Sequence, residues 1–206
     1  MAHAGRWASV ITRGGRVLYY QDPCVYEPSD DTWAAVEAIE KLAELDLRIK
    51  SVLDLGSGTG VLGSVARFLL RPALLMAVDI SPFAVSASRK TLGPDAGVVQ
   101  CDAGDCLRGQ WDLVIVNPPY LPTQLEDDEA CSGALSYAWS EEAGHRALCV
   151  AAGLLGRRVL IVRSSISRLN VDSCLSSLGL SKVAVLARKR LFFEEVWAEL
   201  WAKEAD

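Results

Sequence analysis

The chain has 206 residues, half of them hydrophobic and 23% charged, and a formal net charge of -5. That length can bury one sizeable core, and the composition excludes a disordered chain. No uninterrupted apolar stretch is long enough to cross a bilayer, and the acidic balance argues against a protein whose main task is to hold duplex nucleic acid.

The first thirty residues read as an extended N-terminal segment. Arg6 and Arg13 interrupt its apolar residues, so it lacks a signal-peptide core and the chain is expected in the cytosol, with no membrane. Beyond it, short β-branched runs alternate with helical patterns, which predicts an α/β fold around a doubly wound, mostly parallel sheet. A helix is expected over Asp31–Leu45, capped by Asp30 or Asp31. A strand over Ser51–Gly56 and a helix over Gly60–Leu70 follow, then a strand over Ala73–Asp79 and a helix over Pro82–Leu92 with Ser81 as its cap. Strands at Gly97–Asp102 and Trp111–Asn117 precede a helix at Glu141–Leu154, a strand at Arg158–Arg163 and a helix at Asn170–Leu178. Lys182–Ala187 and Glu195–Trp201 are joined through Arg188-Lys189-Arg190 without room for a helix, so they form an antiparallel hairpin. The sum is a seven-stranded Rossmann-like sheet in one domain over 1–206.

None of the six cysteines has C-x-x-C spacing, and there are two histidines, so no metal site is expected. In a cytosolic protein the cysteines read as free thiols.

Ligands of such sheets bind beyond the carboxyl ends of the strands, and the informative residues cluster there. Asp54-Leu55-Gly56-Ser57-Gly58-Thr59-Gly60 ends the first sheet strand and opens a helix. Its glycines permit positive φ and close backbone approach, and the helix start offers free N–H groups. Gly58 to Gly63 also matches the dinucleotide pattern G-x-G-x-x-G, but two residues late relative to the strand. Asp54 would then set negative charge near a pyrophosphate, whereas a ligand with an ammonium and a sulfonium suits a carboxylate. Asp79 ends the second strand, where a carboxylate accepts from ribose hydroxyls, and Asp102 ends the third, where it can accept from an adenine amino group.

Asn117-Pro118-Pro119-Tyr120 follows the fourth strand. An amide or aromatic amino nitrogen is a poor nucleophile because its lone pair is delocalised. It reacts when two acceptors hold its hydrogens, and the Asn117 side-chain carbonyl and the Pro118 backbone carbonyl are two such acceptors. The prolines stiffen that backbone, and Tyr120 offers a flat face for a planar group. Rate enhancement would come from orientation and preorganised dipoles.

Together these residues resemble the class I methyltransferases of the N-P-P-Y type, and more narrowly the HemK-related glutamine methyltransferases that modify class I translation release factors. Val25-Tyr26-Glu27-Pro28-Ser29-Asp30-Asp31-Thr32 resembles the segment V-Y-E-P-x-E-D-T of the short archaeal and eukaryotic branch. The resemblance implies S-adenosyl-L-methionine as methyl donor and S-adenosylhomocysteine as product. It implies that Thr32 contacts the cofactor from an N-terminal segment closing over it. Asp54 and Gly56, with Gly58 and Gly60, would hold its amino-acid end, Asp79 and Ile80 its ribose, and Asp102 with Ala103 its adenine. Asn117 would touch both cofactor and target, with Pro118 and Tyr120 completing the target site and Pro119 the catalytic turn. The implied substrate is the glutamine of the release factor's Gly-Gly-Gln loop, and the implied partner is a small zinc-binding activating subunit forming a heterodimer along the edge near Val98 and Val99.

Where the branch carries A-W-x-G-G-x-x-G, this chain has Ala138-Trp139-Ser140-Glu141-Glu142-Ala143-Gly144-His145, so two glutamates replace the glycine pair. His145 is expected on a solvated helix face, and the acidic run Glu126-Asp127-Asp128-Glu129 in a solvated loop. Adenine N6-methylation of DNA or RNA, which would need the base extruded into the site, and protein lysine methylation stay open as alternatives.

Overall fold

In the computed structural model, residues 4–45, 47–120, 131 and 142–204 are described. The chain begins with an antiparallel hairpin, β1 (Arg6–Thr12) and β2 (Gly15–Gln21), turned at Arg13-Gly14. Where the sequence reading expected an extended segment, Val17, Tyr19 and Gln21 point inward and alternate with Arg16, Leu18 and Tyr20. That period of two, next to a Gly-Gly pair, is an ordinary hairpin signal.

Seven further strands form one sheet: β3 (Ser51–Leu55), β4 (Leu74–Asp79), β5 (Gly97–Gln100), β6 (Leu113–Val116), β7 (Arg158–Ser164), β8 (Leu180–Arg190) and β9 (Glu195–Lys203). Their order is β5-β4-β3-β6-β7-β9-β8. β3 to β7 pair in parallel, while β9 lies antiparallel between β7 and β8. The expected seven-stranded, mostly parallel sheet is therefore the one observed. Its terminal hairpin runs longer than expected: β8 continues through Arg188-Lys189-Arg190, and the turn falls on residues 191–194.

The helices are α1 (Asp30–Glu44), α2 (Val61–Leu70), α3 (Pro82–Leu92), α4 (Glu142–Leu155) and α5 (Val171–Ser176). Ser81 caps α3, accepting from the Ala84 N–H with Pro82 in the first turn. α1 departs from expectation: Ser29 is its N-cap, and no side chain caps it. Asp31 is spent elsewhere, as described below.

Alternation in the central strands divides the core between the two sheet faces. Leu113, Ile115, Leu160 and Val162 pack towards α1 and α2, while Val114, Val116, Val159 and Ile161 pack with Cys149 and Ala152 of α4 and Leu175 of α5. All four residues of β6 are buried, as a strand covered on both faces requires. Each such aliphatic side chain contributes roughly 1.5–3 kcal/mol by leaving water. β5 closes one end of the sheet, with Val98 and Val99 half-buried.

One charge cluster lies against the sheet. Glu199 on β9 is 2% exposed. Its oxygens accept from Trp197 Nε1 (2.8 Å), Trp201 Nε1 (3.0 Å), Lys182 Nζ (3.0 Å) and Arg163 Nη1 (3.1 Å). Burial alone would raise the Glu199 pKa, but the indole N–H groups and the two cations outweigh it and hold the group below the usual glutamate range.

The cysteine expectation is corrected. All six are paired, as Cys24–Cys131, Cys101–Cys106 and Cys149–Cys174. Local spacing carried no such signal, because two of the pairs join residues 107 and 25 positions apart and exist only through the fold. Iodoacetamide added under denaturing, non-reducing conditions is expected to modify none of the six, and to modify all six after reduction. Adducts on every cysteine before reduction would restore the free thiols.

Candidate active site

A cavity of about 480 Å3 opens beyond the carboxyl ends of β3, β4 and β6, a volume in the range of small-molecule sites. Its floor is the turn after β3, where Gly56, Gly58 and Gly60 all have positive φ (73°, 53° and 75°). Three left-handed residues in five is a path that side chains oppose. At Gly60 space forbids a side chain as well, since a Cβ would meet Ser88 Cα at 3.1 Å. Gly56, Ser57, Gly58 and Thr59 line the cavity.

Asp54 and Gly60 do not line it. Asp54 is 1% exposed and lies beneath the turn, where its Oδ2 accepts from the Gly63 N–H at 2.8 Å. The G-x-x-G frame that resembled a dinucleotide site thus donates its last N–H to a carboxylate. Burial pushes the Asp54 carboxyl up to about 7, with the Gly63 N–H opposing and Asp79 adding to the rise. Between the ordinary aspartate value of about 4 and about 7, the folded chain binds a proton that the unfolded chain has released. Stability is therefore expected to fall as pH rises through that window and to level off above it. Asp54→Asn, which keeps an acceptor for Gly63, should flatten this part of a urea-midpoint profile; an unchanged slope would show that Asp54 is not its source.

Asp79, at the end of β4, faces the cavity. Its Oδ2 accepts from the Gly58 N–H (2.8 Å) and its Oδ1 from the Ser81 N–H (2.9 Å). Burial raises its pKa against three backbone N–H groups. The carboxylate keeps acceptor capacity for a ligand hydroxyl. Ile80, Asp102 and Ala103 line the cavity beside it. Ala103 has φ 43°, a left-handed value unusual for a residue with a Cβ. The Cys101–Cys106 disulfide closes the turn that contains Asp102 and Ala103.

Asn117, Pro118, Pro119 and Tyr120 form the opposite wall with Asp31, Thr32 and Tyr26. Asn117 Nδ2 donates to Asp31 Oδ2 (3.0 Å) and to Thr32 Oγ1 (3.4 Å). A carboxylate only accepts, so Asp31 decides which way round the amide sits. The other end of that amide, Asn117 Oδ1, is buried and has no hydrogen-bond partner among the described residues. Asp31 is itself 4% exposed, and its Oδ1 accepts from the Thr32 N–H (2.6 Å), Thr32 Oγ1 (3.2 Å) and the Tyr26 hydroxyl (3.1 Å). Burial first, then the Asp31 carboxylate, drives both the Tyr26 and Tyr120 phenols well above their ordinary range, so both keep their protons. Among the described residues the carboxylate bonded to Asn117 is Asp31, and its oxygens already accept from Thr32, Tyr26 and Asn117 itself.

Of the residues singled out from the sequence, Thr32, Gly56, Gly58, Asp79, Ile80, Asp102, Ala103 and 117–120 meet at one cavity. Asp31 and Tyr26 were overlooked as site residues, although both belong to the V-Y-E-P-S-D-D-T segment. Asp31 lies 86 positions from Asn117 along the chain but is bonded to it at 3.0 Å, so spacing alone gave no signal. The expectation for His145 is corrected: it is 1% exposed on α4, with Nδ1 3.4 Å from Ser167 Oγ. The acidic run Glu126–Glu129, residues 138–141 and the side chains of Glu142 and Ala143 lie outside the described residues.

Comparison with known proteins adds an independent view. The family model described as the methyltransferase small domain matches residues 34–139, just over half of the chain. The chain is 32% identical to the methyltransferase HEMK2 of Mus musculus over 124 residues, 56% of this chain and 57% of that protein. It is 27% identical to the eRF1 methyltransferase catalytic subunit mtq2 of Schizosaccharomyces pombe over 150 residues, 63% of this chain and 64% of that one. It therefore spans less than two thirds of the length of these relatives. Among solved structures, the E. cuniculi Mtq2–Trm112 complex, described as responsible for methylation of the eRF1 translation termination factor, superposes with a TM-score of 0.63 at 23% identity. The match covers 88% of this chain and 99% of that one, a likeness of fold. These relatives carry the names that the N-P-P-Y resemblance led to.

Proposed function

The chain belongs to the methyltransferase small domain family, and from that premise we propose that it is an S-adenosyl-L-methionine-dependent N-methyltransferase of protein glutamine, acting on the Gly-Gly-Gln loop of a class I translation release factor. One observation carries this reading: Asn117 Oδ1 is a buried acceptor with no partner among the described residues, while its own NH2 is pinned by Asp31 and Thr32. A buried acceptor left unpaired costs about 1–3 kcal/mol, which an incoming amide N–H would recover.

The donor set fits S-adenosyl-L-methionine. Asp79 offers acceptor lone pairs to the two ribose hydroxyls, next to Ile80. Asp102 and the backbone of Ala103 suit adenine, and the turn from Gly56 to Gly60, held from beneath by Asp54, suits the amino-acid end, with Thr32 on the facing wall. When bound, this cofactor supplies an electrophilic methyl carbon on a sulfonium. The chain's own residues do the rest. Asn117 Oδ1 and the Pro118 carbonyl accept from the two hydrogens of the target amide. Holding both fixes the plane of the amide and turns the nitrogen lone pair towards the methyl group. Pro119 stiffens the turn, and Tyr120 provides an apolar face for the flat amide. The nitrogen would gain the methyl group as the carbon–sulfur bond breaks to leave the thioether S-adenosylhomocysteine, and its extra proton would pass to water, with orientation and fixed dipoles supplying most of the acceleration.

The reading includes a small zinc-binding activating subunit, docked as a heterodimer along β5, and a cytoplasmic location. Support comes from the position of β5 at the end of the sheet, with Val98 and Val99 half-buried, and from the two-protein assembly of the structural neighbour.

The test is transfer of radiolabelled methyl to purified release factor, to its Gln→Ala loop variant and to DNA and RNA oligonucleotides. Label in the release factor but not in its loop variant is expected. Label confined to oligonucleotides would assign the site to adenine instead.

A further inference from the structure

The turn between β8 and β9 is an exposed apolar knob tied to the carboxyl end of β7, the side of the sheet on which the cavity opens. Phe192 and Phe193 are 92% and 88% exposed, and Leu191 and Ile166 add 36% and 43%. The two rings meet edge to face with centroids 4.6 Å apart. A single exposed Leu or Phe is unremarkable, but two adjacent phenylalanines projecting almost wholly into water are the kind of patch that marks a contact surface.

The knob is held in place and held near the chemistry. The Leu191 N–H donates to the Glu194 carbonyl (2.7 Å), closing the turn. Ser164, at the carboxyl end of β7, donates from its hydroxyl to Glu194 Oε1 (2.5 Å). The Ser165 N–H donates to the Glu195 carbonyl, and the Glu195 N–H to Ser165 Oγ, both at 2.9 Å. Lys189 pairs with Asp30 (3.4 Å), the neighbour of Asp31. The Glu194 carboxylate also contributes to the upward shifts of Tyr26 and Tyr120, both of which line the cavity.

We propose that Leu191, Phe192, Phe193 and Ile166 form a docking surface for the folded protein that presents the target glutamine, an inference that rests on the protein-glutamine reading above. A glutamine side chain entering the cavity brings the rest of its protein against the carboxyl-end side of the sheet, where Ser164 and Asp30 anchor the knob. Its chemistry favours protein over nucleic acid. Arg188 and Arg190 both pair with Glu195, and Lys189 pairs with Asp30, so the cations of this hairpin tip already have anionic partners. Leu191, Phe192, Phe193 and Ile166 themselves offer no charge to a phosphate, whereas an apolar patch would meet two aromatic rings, the residue type enriched at interface cores.

The variant F192S/F193S tests this with steady-state kinetics on release factor, on a short Gly-Gly-Gln peptide and on an RNA oligonucleotide. With release factor, KM is expected to rise roughly ten-fold or more with kcat unchanged, as loss of aromatic anchors at an interface does. With the peptide, which is too short to reach the knob, both constants should stay at their wild-type values. An unchanged KM for release factor, or an equal rise with the peptide, would overturn the docking surface while leaving the glutamine reading intact. Wild-type enzyme that methylates neither release factor nor peptide would overturn that reading, and the docking surface with it. A KM rise confined to RNA would reassign the knob to base stacking.

Discussion

Asn117→Ala is expected to lower kcat for methyl transfer by about 10²–10³, the usual cost of deleting one preorganised dipole at a reacting group. The size follows from what the side chain does. On the proposed reading it places a carbonyl oxygen, desolvated and already oriented, where the target amide N–H is to be accepted. Water entering the vacated space could accept that hydrogen but would not hold it in one direction. Stability should change far less. The substitution removes an acceptor that has no partner among the described residues, and it takes from Asp31 Oδ2 the donor at 3.0 Å. That loss is about 1–3 kcal/mol, a shift of several degrees in Tm for a chain of this size. Asp31→Asn is the companion variant. It can offer an N–H in place of the carboxylate, so the Asn117 amide loses its reason to sit one way round. If Asp31 acts by positioning, kcat should fall while KM for the target changes little, and Asp31→Glu should restore part of the rate. Wild-type turnover in Asn117→Ala would end the acceptor role.

Glu199→Ala is expected to be the most destabilising single change named here. Four donors converge on its two oxygens, from Trp197, Trp201, Lys182 and Arg163. Truncation leaves two indole N–H groups unanswered and two cations with Asp172 as their remaining anion, at 2.5 Å from Arg163 and 2.9 Å from Lys182. Breaking a buried pair from one side costs roughly 3–5 kcal/mol, which corresponds to a fall in Tm of about 6–20 °C at 2–4 °C per kcal/mol. Glu199→Gln should recover little, because an amide presents one oxygen and one donor to a set of four donors. The pH signature has a definite sign. The folded-state pKa of Glu199 lies below its usual value, so the stabilisation is complete above the unfolded value of about 4.3 and is lost as pH falls through the folded one. Chemical unfolding midpoints measured below the unfolded glutamate value of about 4.3, beneath the window in which Asp54 acts, should drop for the wild type and drop less for Glu199→Ala. Equal midpoints for the two chains at pH 6 would show that the cluster is ornamental to stability.

Most elements were legible because each rests on a local pattern. Buried runs such as Leu113–Val116 and Arg158–Ser164 announce strands covered on both faces, and Ser81-Pro82 announces a helix start. The N-terminal hairpin is less legible because Trp7, Ile11 and Leu18 set large apolar side chains on its exposed face, which blurs the contrast between its two sides. β8 was read short, since Arg188, Lys189 and Arg190 look like a turn. Arg188 and Arg190 are exposed and Lys189 partly buried, on a strand whose neighbour supplies Glu195 as a counter-charge to the two arginines.

Which residue types stand at the strand ends, and in what chain order, was determined by the sequence alone: the glycines that demand left-handed turns, the acids that close consecutive strands, and the asparagine before two prolines. These are properties of single residues and short spacings, and they hold wherever the chain goes. The tertiary structure alone decided the partners. It set Asp54 beneath the glycine turn, brought Asp31 to Asn117 across 86 positions, paired the cysteines, buried His145 and gathered four donors on Glu199. Hydrogen bonds and desolvation act over a few ångströms in space, and distance along the chain carries no record of which side chains folding brings that close.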